Sequence, residues 1–248
     1  MQDKTSSLRA FNERRHGRKL AGHYPDRIWG WAGLAGQSRA KRRSELITHK
    51  AQLSPSKRVL EIGCGSGEFT VRFAETGADI TGVDISPELL ELAREKTSKY
   101  RNVKLLEKRF EESDVGGPFD AIIGSSVLHH LEIIPALFRI FDLLKPGGIM
   151  SFAEPNMLNP QILIQKNVPL IKTWLGDSPD ETAFFRWSLW KILARASFRG
   201  IEITPFDWLH PATPAFLVQV IRRTGQLLEA IPLIREFAGS LLITAQKP

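Results

Sequence analysis

Three glycines at alternate positions follow an acidic residue in the segment Val59-Leu60-Glu61-Ile62-Gly63-Cys64-Gly65-Ser66-Gly67. The apolar residues predict a buried strand, and the glycines predict a tight loop whose backbone can approach a ligand because it has no Cβ atoms in the way. A helix predicted from about Glu68 would point its N-terminus at the same place. The segment therefore predicts a binding loop at the end of a strand.

A second acidic residue has the spacing expected of a ribose-binding group. The predicted strand Asp79–Val83 ends in Asp84, about 20 residues beyond the glycines. A carboxylate at that place can accept hydrogen bonds from both hydroxyls of a ribose. The loop and Asp84 together predict a site for a nucleoside cofactor.

The spacing of the glycines separates two cofactor classes. A dinucleotide loop reads G-x-G-x-x-G, whereas this chain has G-x-G-x-G, with Glu68 where the third glycine would stand. Glu61, two residues before the first glycine, would repel a pyrophosphate and suit a cationic amino acid. A nicotinamide oxidoreductase is thus disfavoured, although it stays among the alternatives.

These features resemble motif I of the class I S-adenosylmethionine-dependent methyltransferases, and three later segments extend the resemblance in the family's order. Val83–Ser86 resembles the ribose-binding motif, Phe119–Leu131 the fourth strand with its active-site end, and Leu143–Gly148 the turn before the fifth strand. The resemblance covers about residues 57 to 155. It implies S-adenosylmethionine as the cofactor and S-adenosylhomocysteine as the product.

The resemblance also implies which residues hold the cofactor. Glu61 would help to hold the methionyl ammonium group, Asp84 the ribose, and Ile85 one face of the adenine. The other members of the implied site supply loop or floor backbone and adenine packing: Gly63, Gly65, Gly67, Phe110, Gly124 and Ser125.

One position departs from the family pattern. Arg109 stands where many members have an aspartate that binds the adenine amino group. Either Glu111 replaces that acid, or the adenine is held by the backbone and packing of Phe110. The sequence leaves both alternatives open.

Methyl transfer to a hydroxyl usually needs a general base, and three residues are candidates. His129 and His130 follow the fourth predicted strand, and Glu154 ends the fifth, which should be adjacent. Imidazole has an ordinary pKa near 6.5, suited to accepting a proton at neutral pH. We expect His130 to be the base, with His129 second and a purely structural pair as the third alternative. Glu154 would orient an imidazole or bind a substrate hydroxyl.

The chain alternates strands and helices, which predicts an α/β fold. We expect a Rossmann-like, seven-stranded, mostly parallel sheet with helices on both faces, an N-terminal helical segment and C-terminal helical inserts. Residues 1–53 would form a basic arm and cap helices, and residues 54–248 the methyltransferase domain. Inserts at about 155–185 and 207–238 would shape the substrate side. The predicted strands span 58–62, 79–83, 103–107, 119–124, 148–153, 200–206 and 239–246.

Charge and cysteine content indicate where the protein would be found and what its N-terminal arm could contact. The net charge is +7 over 248 residues, and the first 50 residues alone hold 12 Lys or Arg and 4 Asp or Glu. The basic arm could contact an anionic membrane surface. With one cysteine, no secretory h-region and no long apolar run, we expect a cytoplasmic protein, peripheral to membranes at most. We predict no metal ligand set.

Two features that the sequence lacks disfavour particular classes of methyl acceptor. The only cysteine, Cys64, lies in the glycine loop, which disfavours base C5 methylation, and the segment after the fourth strand reads Gly-Ser-Ser-Val instead of the Asn/Asp-Pro-Pro-Tyr/Phe of amino-methylating nucleic-acid enzymes. The aromatic inserts favour O-methylation of a small molecule, a sugar or a glycolipid. The alternatives are an RNA or protein methyltransferase and a non-catalytic, methyltransferase-like binding domain.

Overall fold

A computed structural model describes residues 11–15, 17–18, 20–22, 24–111, 114–174 and 182–248. Its centre is one seven-stranded sheet in the order β3-β2-β1-β4-β5-β7-β6. Only β7 runs antiparallel to its neighbours, β5 and β6. The strands are β1 (Arg58–Ile62), β2 (Asp79–Asp84), β3 (Val103–Glu107), β4 (Phe119–Ser125), β5 (Leu144–Pro155), β6 (Arg199–Phe206) and β7 (Ser240–Gln246). The predicted Rossmann-like sheet is confirmed.

Helices cover both faces of this sheet and form the inserts. In chain order they are α1 (Pro25–Ile28), α2 (Leu34–Ala51), α3 (Glu68–Ala74), α4 (Pro87–Thr97), α5 (Ile133–Leu143), α6 (Pro160–Asn167), α7 (Pro169–Trp174), α8 (Arg186–Arg195), α9 (Val218–Glu229) and α10 (Pro232–Arg235). Residues 11–15, 17–18 and 20–21 are also helical. None of the described helices is long and apolar enough to span a bilayer.

Local sequence explains where these helices start. The Ser86 hydroxyl accepts a hydrogen bond from the Leu89 backbone N–H at 3.3 Å, and Pro87 fills the first helical position of α4. Asn159 caps α6 in the same way, ahead of Pro160. These caps fix helix α4 directly after Asp84 and helix α6 directly after the end of β5.

The sheet separates two apolar cores because adjacent residues of a strand point to opposite faces. Leu60, Ile122 and Phe152 pack on one face against α5 and α8. Val59, Ile80 and Ile123 pack on the other against α2 and α3. Because helices cover both faces of the sheet, the strand sequences are nearly continuous apolar runs, as expected of a parallel sheet. The loops at the carboxyl edge are therefore left to form the site.

Three arginines of helix α2 form ion pairs and hydrogen bonds with residues of other elements. Arg39 Nε lies 2.9 Å from Asp207 Oδ2, and Arg42 forms a two-bonded ion pair with Glu229. Arg43 is 3% exposed and donates to the hydroxyls of three serines, Ser125, Ser126 and Ser240. These arginines therefore join the helix to β7 and the second insert, and are not part of an open basic surface.

Two arginines of the N-terminal segment also form ion pairs with acids of the sheet and its helices. Arg14 Nη2 lies 2.8 Å from Glu107 Oε1, and Arg18 Nε lies 2.8 Å from Glu88 Oε1. The side chains of Arg14 and Arg18 nevertheless remain 55% and 76% exposed, so contact of the basic arm with an anionic membrane stays a prediction. The prediction for residues 1–10 lies outside the described residues.

Candidate active site

The glycine loop folds tightly because two of its glycines could not be replaced. Gly63 has a φ of +67°, and a Cβ there would lie 2.3 Å from Val127 Cγ2. Gly67 has a φ of +81°, and its Cβ would lie 2.9 Å from the Cα of Ala93 in α4. L-residues other than glycine rarely adopt such angles. The loop therefore packs between two neighbouring elements and exposes backbone towards the carboxyl edge.

Asp84 connects the end of β2 to this loop. Its Oδ2 accepts a hydrogen bond from Gly65 N at 2.8 Å, and its Oδ1 accepts one from Ser86 N at 2.9 Å. Burial raises the pKa of Asp84, and the backbone N–H groups of Ser86 and Gly65 oppose that shift. The carboxylate is held rigidly at the cavity wall, with lone pairs left for a ribose.

Glu61 lies behind the loop instead of in the cavity wall. It is 2% exposed, and its Oε2 is buried without a hydrogen-bond partner. Burial raises its pKa to about 8; the Thr70 hydroxyl opposes the shift and the charge of Asp84 adds to it. A buried carboxylate of this kind is costly to ionise unless a cation approaches. The position fits the ammonium end of an amino-acid cofactor.

These elements surround a large cavity of about 670 Å³ at the carboxyl edge. Ligand pockets commonly enclose about 300–1,000 Å³, so a nucleoside cofactor and part of an acceptor fit together. The sheet contributes the loop after β1 and Asp84. The N-terminal segment contributes Glu13, Gly17 and Leu20, which close one side.

The adenine end of the cavity contains both alternatives that the sequence left open. Phe110 is buried and lines the cavity, and Arg109 and Glu111 line it beside Phe110. Arg109 Nε lies 3.7 Å from Glu111 Oε2. Ile85 lines the same region, and its carbonyl accepts a hydrogen bond from Arg14. Both an acid and a packing surface are therefore available to an adenine.

His129 and Glu154 form a buried pair. His129 Nδ1 lies 2.6 Å from Glu154 Oε2, and both side chains are almost fully buried. Glu154 Oε1 also accepts the backbone N–H groups of Val127 and Leu128, each at 2.9 Å. Burial alone would raise the pKa of Glu154, but His129 and these N–H groups outweigh burial and lower it. The carboxylate fixes the turn that carries both histidines.

His130 is the more accessible histidine. Its side chain is half-buried in the cavity, and its Nδ1 lies 3.1 Å from Glu13 Oε2. Its ring stacks on that of His129 with centroids 4.2 Å apart. Among the described residues, the His130 Nδ1 has no partner in hydrogen-bond geometry, so the Glu13 carboxylate acts on it through charge. That charge would favour a proton on Nδ1 and leave Nε2 unprotonated, as a general base requires. Glu13 was not identified from the sequence, because its contact depends on how the N-terminal segment folds back.

A third histidine in the cavity, His210, is less suited to this role. Its Nδ1 accepts a hydrogen bond from Ala212 N at 3.1 Å, and its Nε2 lies 2.8 Å from the Gln161 amide. Burial lowers its pKa, and the charge of Arg39 adds to that effect. His210 is therefore neutral, and its one basic nitrogen is already engaged.

Four residues expected to contact ligands do not line the cavity: Glu61, described above, and Gly67, Gly124 and Glu154. Gly67 packs on α4. Gly124 packs under the floor, where a Cβ would come within 2.7 Å of Phe152 and Val127. Glu154 faces the histidine turn, so it can orient His129 but cannot bind a substrate hydroxyl. Gly63, Gly65 and Ser125, by contrast, do line the cavity.

Several lining residues were missed from the sequence. Trp29 and Trp31, from the turn after α1, face the glycine loop, and the ring of Trp29 comes within 3.4 Å of where a Gly65 Cβ would lie. Asp26 holds this turn in place by accepting hydrogen bonds from Ser66 and Lys96. Cys64 is buried beside the loop, and burial raises the pKa of its thiol. In the sequence, the two neighbouring tryptophans were the signal that could have indicated a cap over the loop. The pairing of Asp26 is visible in the structure alone.

Comparison with known proteins gives consistent results. A family model described as a methyltransferase domain matches residues 60–150. YqeM of Bacillus subtilis, named as a methyltransferase, is 35% identical over 109 residues, which are 42% of this chain and 44% of that protein. A ubiquinone biosynthesis O-methyltransferase of Xanthomonas campestris is 32% identical over 106 residues, which are 41% of this chain and 44% of that enzyme. The chain spans less than half the length of these curated relatives.

A solved structure shares the fold over nearly the whole chain. The N-methyltransferase NodS of Bradyrhizobium japonicum, in complex with S-adenosylhomocysteine, has a TM-score of 0.64 and 18% identity. The match covers 96% of this chain and 98% of NodS. The likeness therefore includes the N-terminal cap and the inserts as well as the sheet.

Proposed function

We propose that this chain, whose residues 60–150 match a methyltransferase-domain model, is an S-adenosylmethionine-dependent methyltransferase that methylates a hydroxyl group. The acceptor is a small molecule, a sugar or a lipid-linked intermediate. When bound, the cofactor supplies an electrophilic methyl group on a sulfonium, and the product is S-adenosylhomocysteine. One relative with a printed O-methyltransferase name supports the choice of oxygen.

The residues present fit the cofactor. Asp84 lies in the cavity wall, where its carboxylate would accept hydrogen bonds from a ribose, and the buried Glu61 carboxyl behind the loop would attract the cationic end of the cofactor. Gly63 and Gly65 leave the loop backbone open to a ligand, and Ile85 and Phe110 offer apolar contact to an adenine. Each of these residues binds or orients a different part of one molecule.

One observation carries the proposed chemistry. His130 opens into the same cavity as the glycine loop, with Glu13 at its Nδ1. Its Nε2 would accept the proton of the acceptor hydroxyl as that oxygen attacks the methyl carbon, and the Glu13 carboxylate would stabilise the imidazolium that forms. His129 and Glu154 act as positioning residues, because they fix the turn that presents His130.

The proposal is tested by binding and turnover together. We expect calorimetry to show micromolar binding of S-adenosylmethionine and S-adenosylhomocysteine. In a screen of soluble and lipid-linked hydroxyl acceptors, His130→Ala should slow transfer by about 10²–10⁴-fold with cofactor affinity nearly unchanged. The kcat of Glu13→Gln should fall less and its pH profile should shift. Wild-type turnover in His130→Ala would assign that residue to structure alone.

A further inference from the structure

Large apolar side chains are exposed mainly on the two inserts. We call the insert surface the region marked by six of them: Leu170, Phe185, Phe216, Leu227, Leu233 and Phe237. Leu170, Phe216 and Leu233 are each more than 80% exposed. Large apolar patches are rare on soluble monomers and mark protein or membrane contacts where they occur.

Hydrogen bonds join the two inserts into one surface. Asn156 Nδ2 donates to the carbonyls of Glu236 and Ala238, each at 2.8 Å. Asn159 Nδ2 donates to the Phe237 carbonyl at 2.8 Å, and Met157 N donates to Phe184 O at 2.9 Å. The starts of α6 and α8 and the end of the second insert are thus fixed side by side. The exposed apolar residues belong to a defined structure.

Helix α9 presents an apolar face to solvent as well as one to the core. Its buried face carries Val218 and Gly225, and Gly225 packs closely on Trp208. Val220 and Leu227, seven residues apart, are exposed on the opposite face, with Arg223 between them. A helix face that combines apolar side chains with a cation is typical of elements that lie in a membrane interface.

Among the residues that the structure describes on this surface, the exposed charges favour an anionic partner. Its acids in the described residues, Asp207, Glu229 and Glu236, are each largely buried in an ion pair with an arginine. The exposed charges include Arg223 on α9 and Lys191 on α8. A second copy of the chain would supply the same cations, and the described part of its insert surface offers no exposed acid to pair with them. An anionic bilayer would complement both the charge and the apolar side chains.

The insert surface borders the mouth of the cavity. Gln161, Gln165 and Lys166 of α6 line the cavity, while Leu163 and Ile164 of the same helix are exposed. We propose that the insert surface docks on an anionic membrane and that a lipid-linked acceptor enters the cavity from that side. The acceptor part rests on the proposed function, whereas the docking does not require catalysis.

Vesicle flotation tests the docking directly. We expect the full chain to float with phosphatidylglycerol–phosphatidylcholine vesicles at low salt, and poorly with phosphatidylcholine alone. The triple variant Phe216→Ser, Leu227→Ser, Leu233→Ser should bind at least about tenfold more weakly. Arg223→Glu should weaken binding by about fivefold or more. Its matched control is Lys104→Glu on β3, at the opposite edge of the sheet, which should bind as wild type does.

Three outcomes would overturn the docking: no flotation of wild type on any vesicle, undiminished flotation of the triple variant, or a dimer in ultracentrifugation that the triple variant dissociates. Calorimetry with S-adenosylhomocysteine shows whether the variants are folded, since none of the substituted residues lines the cavity. Loss of cofactor binding in wild type would instead overturn the proposed function. The two failures are therefore distinguishable.

Discussion

The contribution of Glu61 to cofactor binding would depend on whether its carboxyl group is protonated. Burial keeps its carboxyl neutral at pH 7 in the unliganded protein, with a pKa of about 8. A cationic group beside it would stabilise the carboxylate and lower that pKa. Cofactor binding is then linked to loss of the proton, which an ordinary exposed carboxylate would not show.

We predict that binding of S-adenosylmethionine at pH 7 releases nearly one proton per site. Calorimetry in two buffers of different ionisation enthalpy measures this number. Glu61→Gln should abolish the release and weaken binding by about tenfold or more. The control is Glu68→Gln, at the start of α3, which should release protons as wild type does. Equal binding enthalpies in both buffers would show that Glu61 stays protonated in the complex.

His129 and His130 illustrate how adjacent, identical residues acquire different roles. The short turn directs one ring to Glu154 below the floor and the other into the cavity beside Glu13. The sequence analysis placed His130 ahead of His129 as the base, but it could not identify the carboxylate that each histidine meets. Both of those carboxylates come from other elements.

At the scale of elements, α2 is attached to the sheet by a buried cation. Arg43 lies between the rings of Trp31 and Phe206 and donates to Ser240 and Ser126. Burial lowers its pKa to about 10, and the charge of Arg39 adds to that effect. The hydroxyls and aromatic faces offset part of the cost of burying the charge, and the lowered pKa shows that part of that cost remains.

We predict that Arg43→Leu lowers the free energy of unfolding by about 2–4 kcal/mol, because it leaves buried hydroxyls without donors. Denaturant unfolding measures the change. Lys41→Leu, on the exposed side of the same helix, is the matched control and should change stability by less than about 0.5 kcal/mol. Equal effects of both substitutions would contradict the role assigned to Arg43.

At the scale of the whole molecule, Glu154 links the sheet to the turn that carries both histidines, and its ionisation affects stability at acid pH. Its pKa is lowered in the folded protein, so it stabilises the fold above its ordinary pKa and loses that contribution as the pH falls through its folded value. Protonating it would release the buried hydrogen bonds that hold β4, β5 and the histidine turn together.

We expect Glu154→Gln to lower stability at pH 7 by about 2–4 kcal/mol and to flatten the loss of stability below pH 5. Unfolding curves from pH 3 to 7 measure both effects. Asp120→Asn, a more exposed carboxylate at the other end of β4 that is paired with Lys145, should cost less than about 1 kcal/mol. A Glu154→Gln curve parallel to that of wild type would contradict this assignment.

The sequence by itself determined the sheet, the loop and the cofactor. Strand and helix positions follow from local periodicity and caps, so β1 to β7 lie within a few residues of where the patterns put them, apart from the longer β5. The glycine loop and Asp84 are close in the chain and act through backbone geometry. Local chemistry is enough to predict such features.

Only the tertiary structure decided which side chains from distant segments meet. Glu13 reaches His130, Arg43 reaches Ser240, and Asn156 ties the two inserts together over about 80 residues. The same long-range packing placed Arg39, Arg42 and Arg43 of α2 in contacts with other elements and left Val220 and Leu227 of α9 exposed. Such contacts follow from how loops close in space, and no spacing along the chain encodes them.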